Sequence, residues 1–176
     1  MKYCSGCGSS ISQRIPEGDN RDRHICDSCE TVHYQNPCII TGCIPIYGDQ
    51  VLLCRRAIEP AHGFWTLPAG FMENGETMSE GAMRECMEEA NANLHSLELY
   101  TTIDIPHINQ VYVFFRGHMR EPKFSPGLES LDTVLFHEHE IPWTDLAFPS
   151  VKKALKHYFN DKKAGTFPVR TEAIRR

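Results

Sequence analysis

At 176 residues the chain is long enough for one domain with a full core and a small appendage. A hydrophobic fraction of 41%, a charged fraction of 23% and a net charge of -5 exclude a disordered chain, and exclude a surface that attracts nucleic-acid backbone or anionic membrane as a whole. No apolar run approaches the roughly 20 residues of a membrane span, and Met1-Lys2-Tyr3-Cys4 opens nothing like a secretory signal, so the cytoplasm is the expected location.

Residues 1–34 read as a separate small unit. Two Cys-x-x-Cys pairs, Cys4/Cys7 and Cys26/Cys29, are separated by 18 residues, the pattern of a four-cysteine zinc site holding one structural ion. Gly6 and Gly8 flank Cys7, where a tight turn must present two thiolates. The polar stretch Ile11 to Arg23 builds no core, so the ion holds this piece together. Redox-active dithiols are the competing reading. Lys2, Arg14, Arg21 and Arg23 are offset by Glu17, Asp19, Asp22, Asp27 and Glu30, so the ribbon lacks the basic stripe of a nucleic-acid binder. Ile11, Ile15, Ile25 and Val32 are available to pack the ribbon on the main domain and widen the interface of a homodimer, with zinc cover the alternative use for one or two of them.

The main domain is expected over 35–161. Strand-like runs fall at Ile39–Ile46 and Val51–Ala57, joined by the turn Gly48-Asp49, then at Leu97–Ile105, Val111–His118 and Thr133–His137. Helices are predicted over about 78–90 and about 150–160. Strands mixed irregularly with two helices indicate an α+β fold, a mixed sheet between helices. The tail, 162–176, has few core residues and is expected to be loosely held or to pack on a partner.

The first helix carries the chemistry. Thr77 and Glu80 form a capping box. Ala82, Met83, Cys86, Met87 and Ala90 share a face at 3.6-residue periodicity and are expected in the core, with Met78. Glu85, Glu88 and Glu89 gather in another sector about 100° wide, where neighbouring like charges repel by a few tenths of a kcal/mol. A hard divalent cation relieves that repulsion; a solvated acidic face is the bland alternative.

Written out, Gly70-x5-Glu76-x7-Arg84-Glu85-Cys86-Met87-Glu88-Glu89-Ala90-Asn91-Ala92 closely resembles the signature of the Nudix hydrolases. Two positions depart from it, Asn91 where glycine is usual and Cys86 where a larger aliphatic is usual. The resemblance implies an α/β/α sandwich preceded by a zinc ribbon. It also implies Glu85, Glu88 and Glu89 as ligands of two or three Mg²⁺ or Mn²⁺ ions, and Glu76 with Arg84 as the pair orienting loop and helix. Gly70 then lets the backbone approach metals and phosphate.

The approach to this signature, Leu53 to Pro60 and Gly63 to Phe71, is similar to that of dinucleotide-cleaving members, and zinc ribbons occur in NADH pyrophosphatases and in some ADP-ribose/FAD pyrophosphatases. NADH enzymes carry Ser-Gln-Pro-Trp-Pro-Phe-Pro downstream; here Ile141 to Ser150 departs from that run, and with Pro126 to Ser130 sits closer to the ADP-ribose/FAD group. The implied reaction is hydrolysis of the diphosphate linkage of a nucleotide derivative, FAD or ADP-ribose, to AMP and a second monophosphate. An NADH or nucleoside-triphosphate pyrophosphatase is the rival, and a non-catalytic nucleotide sensor the alternative of another class.

Glu129, on a loop after Pro126-Gly127, is the candidate proton acceptor. Arg55 and Arg56 are candidate phosphate ligands, only one of which can face the site on an alternating strand. Phe71 is a candidate substrate contact, along with Phe64, Trp65, Tyr112, Phe114 and Phe148, for each of which a core role competes. His137 and His139 share a strand face but lack a further ligand.

Overall fold

A computed structural model describes residues 1–175 and divides the chain into two units, Met1–Asn36 and Pro37–Arg176. In the first unit, β1 (Ile11–Arg14), β2 (Arg23–Cys26) and β3 (Val32–His33) form a three-stranded antiparallel sheet. The turn at the first cysteine pair is closed by the Gly8 N–H donating to the Cys4 carbonyl at 2.9 Å, and Gly8 takes a φ of 75° that a side chain would strain. Ile25 is buried, as are Cys4 and Cys26, whereas Ile15 is exposed.

The second unit is built on one mixed sheet. Its strands are β4 (Cys38–Tyr47), β5 (Gln50–Arg56), β6 (Trp65–Thr66), β7 (Ala69–Phe71), β8 (Leu94–Ile105), β9 (Gln110–Met119), β10 (Ser130–Phe136) and β11 (Arg170–Ala173). The order is β10-β5-β4-β9-β8-β11, with β6 paired to β5 and β7 to β4. Strand β4 runs parallel to β9 along one edge. Its other edge is shared: β5 pairs with its end through Ile46 and Tyr47, while β7 pairs with its start, setting Gly70 opposite Thr41. At Gly42 an added Cβ would overlap Ala69, so only glycine lets β7 close onto β4.

Alternation along the strands explains the layers. Ile44, Ile46, Val51 and Leu53 face one core, Cys43, Leu52 and Cys54 the other. The first core is closed by Val151, Leu155, Tyr158 and Phe159 of α2 (Pro149–Ala164), the second by Cys86 and Ala90 of α1 (Met78–Ala90). This is the expected α/β/α sandwich. Truncating a fully buried residue such as Leu53 to alanine leaves a cavity costing about 2–5 kcal/mol.

Both helices have defined ends. The Glu80 N–H donates to Thr77 Oγ1 at 3.2 Å and the Thr77 N–H to Glu80 Oε2 at 2.7 Å, completing the capping box of α1. Asn91 ends α1 in the left-handed region at φ 47°, its N–H reaching the Cys86 and Met87 carbonyls. Helix α2 starts on Pro149 and stops at Gly165, φ 70°.

Two expectations are corrected. Met78, Met83 and Met87 are 40%, 42% and 43% exposed rather than in the core. The buried stripe of α1 is Ala82, Glu85, Cys86, Glu89 and Ala90, the i, i+3, i+4, i+7, i+8 spacing with two glutamates inside it. The tail, expected loose or resting on a partner, instead adds the edge strand β11, parallel to β8. Arg170 clasps Asp161 of α2 with both Nη atoms, while the Tyr100 hydroxyl donates to the same carboxylate at 2.5 Å. Burial works against that carboxylate, yet these hydrogen bonds prevail and hold its pKa below the ordinary value. Lys153 adds a 2.7 Å ion pair to Glu172.

Candidate active site and metal centre

In the ribbon the four cysteine sulfurs lie within 4.8 Å of one another. Cys4–Cys29, Cys7–Cys26 and Cys7–Cys29 are separated by 3.7, 3.4 and 3.5 Å, far beyond a disulfide bond. Tetrahedral zinc with sulfur at about 2.3 Å needs sulfurs about 3.8 Å apart, so the set fits that ion. The Thr31 hydroxyl and backbone, then the neighbouring thiols, bring the Cys29 thiol down to about 6, towards the thiolate a metal binds. His24 stands outside this group. His33, which the sequence did not single out, places Nε2 at 3.3 Å from Cys4 Sγ, within hydrogen-bonding range of a candidate ligand.

In the second unit, α1 and β7 meet at a cavity of about 1300 Å³. Glu85 and Glu89 open onto it although only 8% and 7% exposed, and Glu88 lies at its solvent side. Burial pushes the Glu89 carboxyl up to about 8, with the nearby Glu85 charge adding to the effect; the Ala69 backbone and the Arg56 charge pull the other way. Burial also raises Glu85, and Arg84 opposes this without cancelling it. One oxygen of Glu89, Oε2, is buried with no hydrogen-bond partner. An orphaned buried carboxylate oxygen beside two further carboxylates is the donor set of a hard divalent cation, so these residues fit one.

Arg84 organises this cluster. Its Nε and Nη2 bind Glu76 at 3.0 and 2.9 Å, its Nη1 reaches Glu85 at 2.7 Å and Glu88 at 2.9 Å, and Nη2 also donates to the Phe71 carbonyl at 3.2 Å. Glu76 in turn accepts the Glu73 N–H at 2.7 Å, fixing the loop before α1. The Arg84 hydrogen bond, then that of Glu73, lowers the Glu76 carboxyl to about 2. With Arg84 between Glu85 and Glu88, the glutamate oxygens do not converge as the cysteine sulfurs do. Gly70 backs directly onto Glu85; an added Cβ would overlap its carboxylate.

Glu129 lines the same cavity, and its charge contributes to raising both Glu85 and Glu89. Arg56 lines it too, lying 5.1 Å over the Phe148 ring with Nε donating to the Pro60 carbonyl at 2.8 Å. Arg55 is not among the lining residues; its Nε donates to the Gly63 carbonyl at 2.9 Å. Phe71, Tyr112 and Phe148 form apolar wall, Phe114 is fully buried core, and Trp65 packs edge-on against Phe136 at 5.0 Å. Ile174, just past β11, lines the same cavity, a contribution its isolated position in the polar tail did not announce. His137 and His139 do not share a strand face, because β10 ends at Phe136. His137 caps the 3-10 turn Glu138–Glu140 that holds His139, their rings stack at 5.7 Å beside Lys162 and Lys163, and among the described residues they join no group of three ligand atoms.

A sandwich of this topology with an Arg-bridged glutamate helix defines a Nudix hydrolase fold. The NUDIX domain model matches residues 37–162 and the zinc-ribbon model described as Nudix N-terminal matches 2–35. The chain belongs to the Nudix hydrolase family. A crystal structure of a NUDIX hydrolase from Nitrosomonas europaea is 50% identical, covers 100% of both chains and superposes with a TM-score of 0.96. The NAD-capped RNA hydrolase NudC of Photorhabdus laumondii is 30% identical over 116 residues, 65% of this chain and 42% of the relative, so the chain matches less than half of that protein. An ADP-ribose pyrophosphatase from Streptococcus suis shares the fold at 17% identity, TM-score 0.61, over 77% of this chain and 99% of that one. Among the described residues no helix is long and apolar enough to cross a membrane.

Proposed function

We propose that the chain hydrolyses the diphosphate linkage of a nucleoside diphosphate derivative, ADP-ribose or FAD, releasing AMP and a second monophosphate. The observation that carries this reading is the pair of buried carboxylates, Glu85 and Glu89, opening onto a cavity of about 1300 Å³ with an aromatic wall. That volume exceeds a typical small-ligand pocket and suits a molecule with two bulky ends. Glu85, Glu88 and Glu89 hold the divalent cations, two or three Mg²⁺ or Mn²⁺. When bound, these ions neutralise phosphate oxygens and acidify water.

The remaining roles fall to side chains around the cavity. Glu129 accepts the proton of the attacking water, being an exposed carboxylate off α1 that lines the cavity and whose charge acts on both Glu85 and Glu89. Arg56 binds a phosphate oxygen, since it faces the cavity and Arg55 does not. Phe71, Tyr112 and Phe148 enclose the planar end of the substrate. Gly70 keeps the backbone open beside Glu85.

The similarity to NAD-capped RNA hydrolases favours a second reading, an NADH-type dinucleotide as substrate. The Ile141–Ser150 segment, which lacks the Ser-Gln-Pro-Trp-Pro-Phe-Pro run, argues for the first. Purified protein with Mg²⁺ should be assayed for AMP release from ADP-ribose, FAD and NADH, with nucleoside triphosphates alongside. A kcat/KM at least about tenfold higher for ADP-ribose or FAD is expected; preference for NADH installs the second reading, and preference for triphosphates overturns both.

A further inference from the structure

The loop that carries Glu129 has no apolar anchor at its tip, where Leu128 is fully exposed. Hydrogen bonds to the end of α1 hold it instead. The Ser125 N–H donates to the Ala90 carbonyl at 2.9 Å and the Gly127 N–H to the Glu89 carbonyl at 3.0 Å, both carbonyls that a helix end leaves free. Asn91 then adds a side-chain bond that glycine at this position cannot make. Its Nδ2 donates to the Ser125 carbonyl at 3.1 Å and to the Pro126 carbonyl at 3.3 Å. Beyond the clamp, the Ser130 N–H reaches the Gly127 carbonyl at 3.1 Å and the Ala57 N–H the Glu129 carbonyl at 2.8 Å. Gly127 is pressed so closely on the Glu88 carbonyl that any Cβ would overlap it.

Asn91 stands where the family signature usually has glycine. Both residues adopt the left-handed helix end, so the cap alone does not require the amide. We propose that Asn91 is a positioning residue that clamps the 125–129 loop to the last turn of α1 and so holds Glu129 over the buried glutamates. This rests on the reading of Glu129 as proton acceptor. The Asn91 side chain thereby reinforces the two backbone hydrogen bonds that tie the loop bearing the acceptor to the helix bearing the proposed metal ligands.

The test uses the full chain, with Asn91→Gly keeping the cap while deleting the amide, and Asn91→Asp keeping its size while replacing the donor with a carboxylate facing two carbonyl oxygens. In both variants the Ser125 and Gly127 amides should exchange with deuterium about tenfold faster. With ADP-ribose and Mg²⁺, kcat should fall about tenfold with little change in KM, and Mn²⁺ affinity should be unchanged. In a Glu129→Gln background, Asn91→Gly should lower kcat by less than about twofold more. Wild-type exchange in either variant overturns the clamp, and an equal fall in kcat with and without Glu129 overturns its action through that residue. Should Glu129→Gln alone leave kcat unchanged, the proton-acceptor reading fails by itself, while the exchange rates still decide whether Asn91 holds the loop.

Discussion

The Arg84 guanidinium grips Glu76 through two parallel hydrogen bonds, Nε at 3.0 Å and Nη2 at 2.9 Å, and spends its remaining nitrogen on Glu85 and Glu88. One planar cation therefore fixes the loop before α1 and spaces the glutamates on it.

Lysine cannot reproduce that fork. Arg84→Lys is expected to lower kcat by up to about 100-fold through misplaced ligands while leaving the sandwich folded. Steady-state kinetics with circular dichroism checks this; wild-type kcat would remove Arg84 from the role.

The Glu89 carboxyl is raised from 4.5 to about 8. The folded metal-free protein therefore binds more protons than the unfolded chain between these values, so this group's contribution to stability is complete below pH 4.5 and lost as pH rises towards 8. Melting temperature measured with chelator should show this decline, and Mg²⁺ should offset it at the alkaline end. Glu89→Gln should flatten the slope. An unchanged slope in that variant contradicts the assigned proton.

At Gly70 an added methyl meets the Glu85 carboxylate, a movable side-chain end rather than backbone. Gly70→Ala should fold, yet bind Mn²⁺ about tenfold more weakly by calorimetry as Glu85 is displaced. Equal affinity would detach Gly70 from the metal site.

The ribbon should contain one zinc per chain by elemental analysis. Cys26→Ser should release it and unfold residues 1–36 while α1 and the mixed sheet persist. A zinc-free ribbon with native-like amide protection, or a disulfide joining its two pairs, would refute the site.

Much of this architecture was legible because apolar periodicity dominates where layers pack: β4, β5, β8, β9 and both helices lie where alternation or 3.6-residue spacing predicts. The failures have physical causes. Hydrophobicity ranks methionine above glutamate and so predicts Met83 and Met87 inside, but α1 buries Glu85 and Glu89 along the cavity and leaves the two methionines partly exposed, Met87 at the cavity itself. Strand β11 reads Arg-Thr-Glu-Ala, with no apolar face. Its place comes from pairing with β8 and from the Arg170–Asp161 and Lys153–Glu172 ion pairs, which no local pattern encodes. The Asn91 amide reaches 34 and 35 residues ahead, so the sequence showed a helix cap and not a clamp.

The central claim, that the α1 glutamates hold the metal for diphosphate cleavage, is tested most directly by turnover of ADP-ribose at saturating Mg²⁺ in Glu88→Gln and Glu89→Gln. Each should lose about 100-fold or more in kcat with an intact fold, since an amide keeps the shape and removes the charge. Near-normal rates in both variants would contradict it.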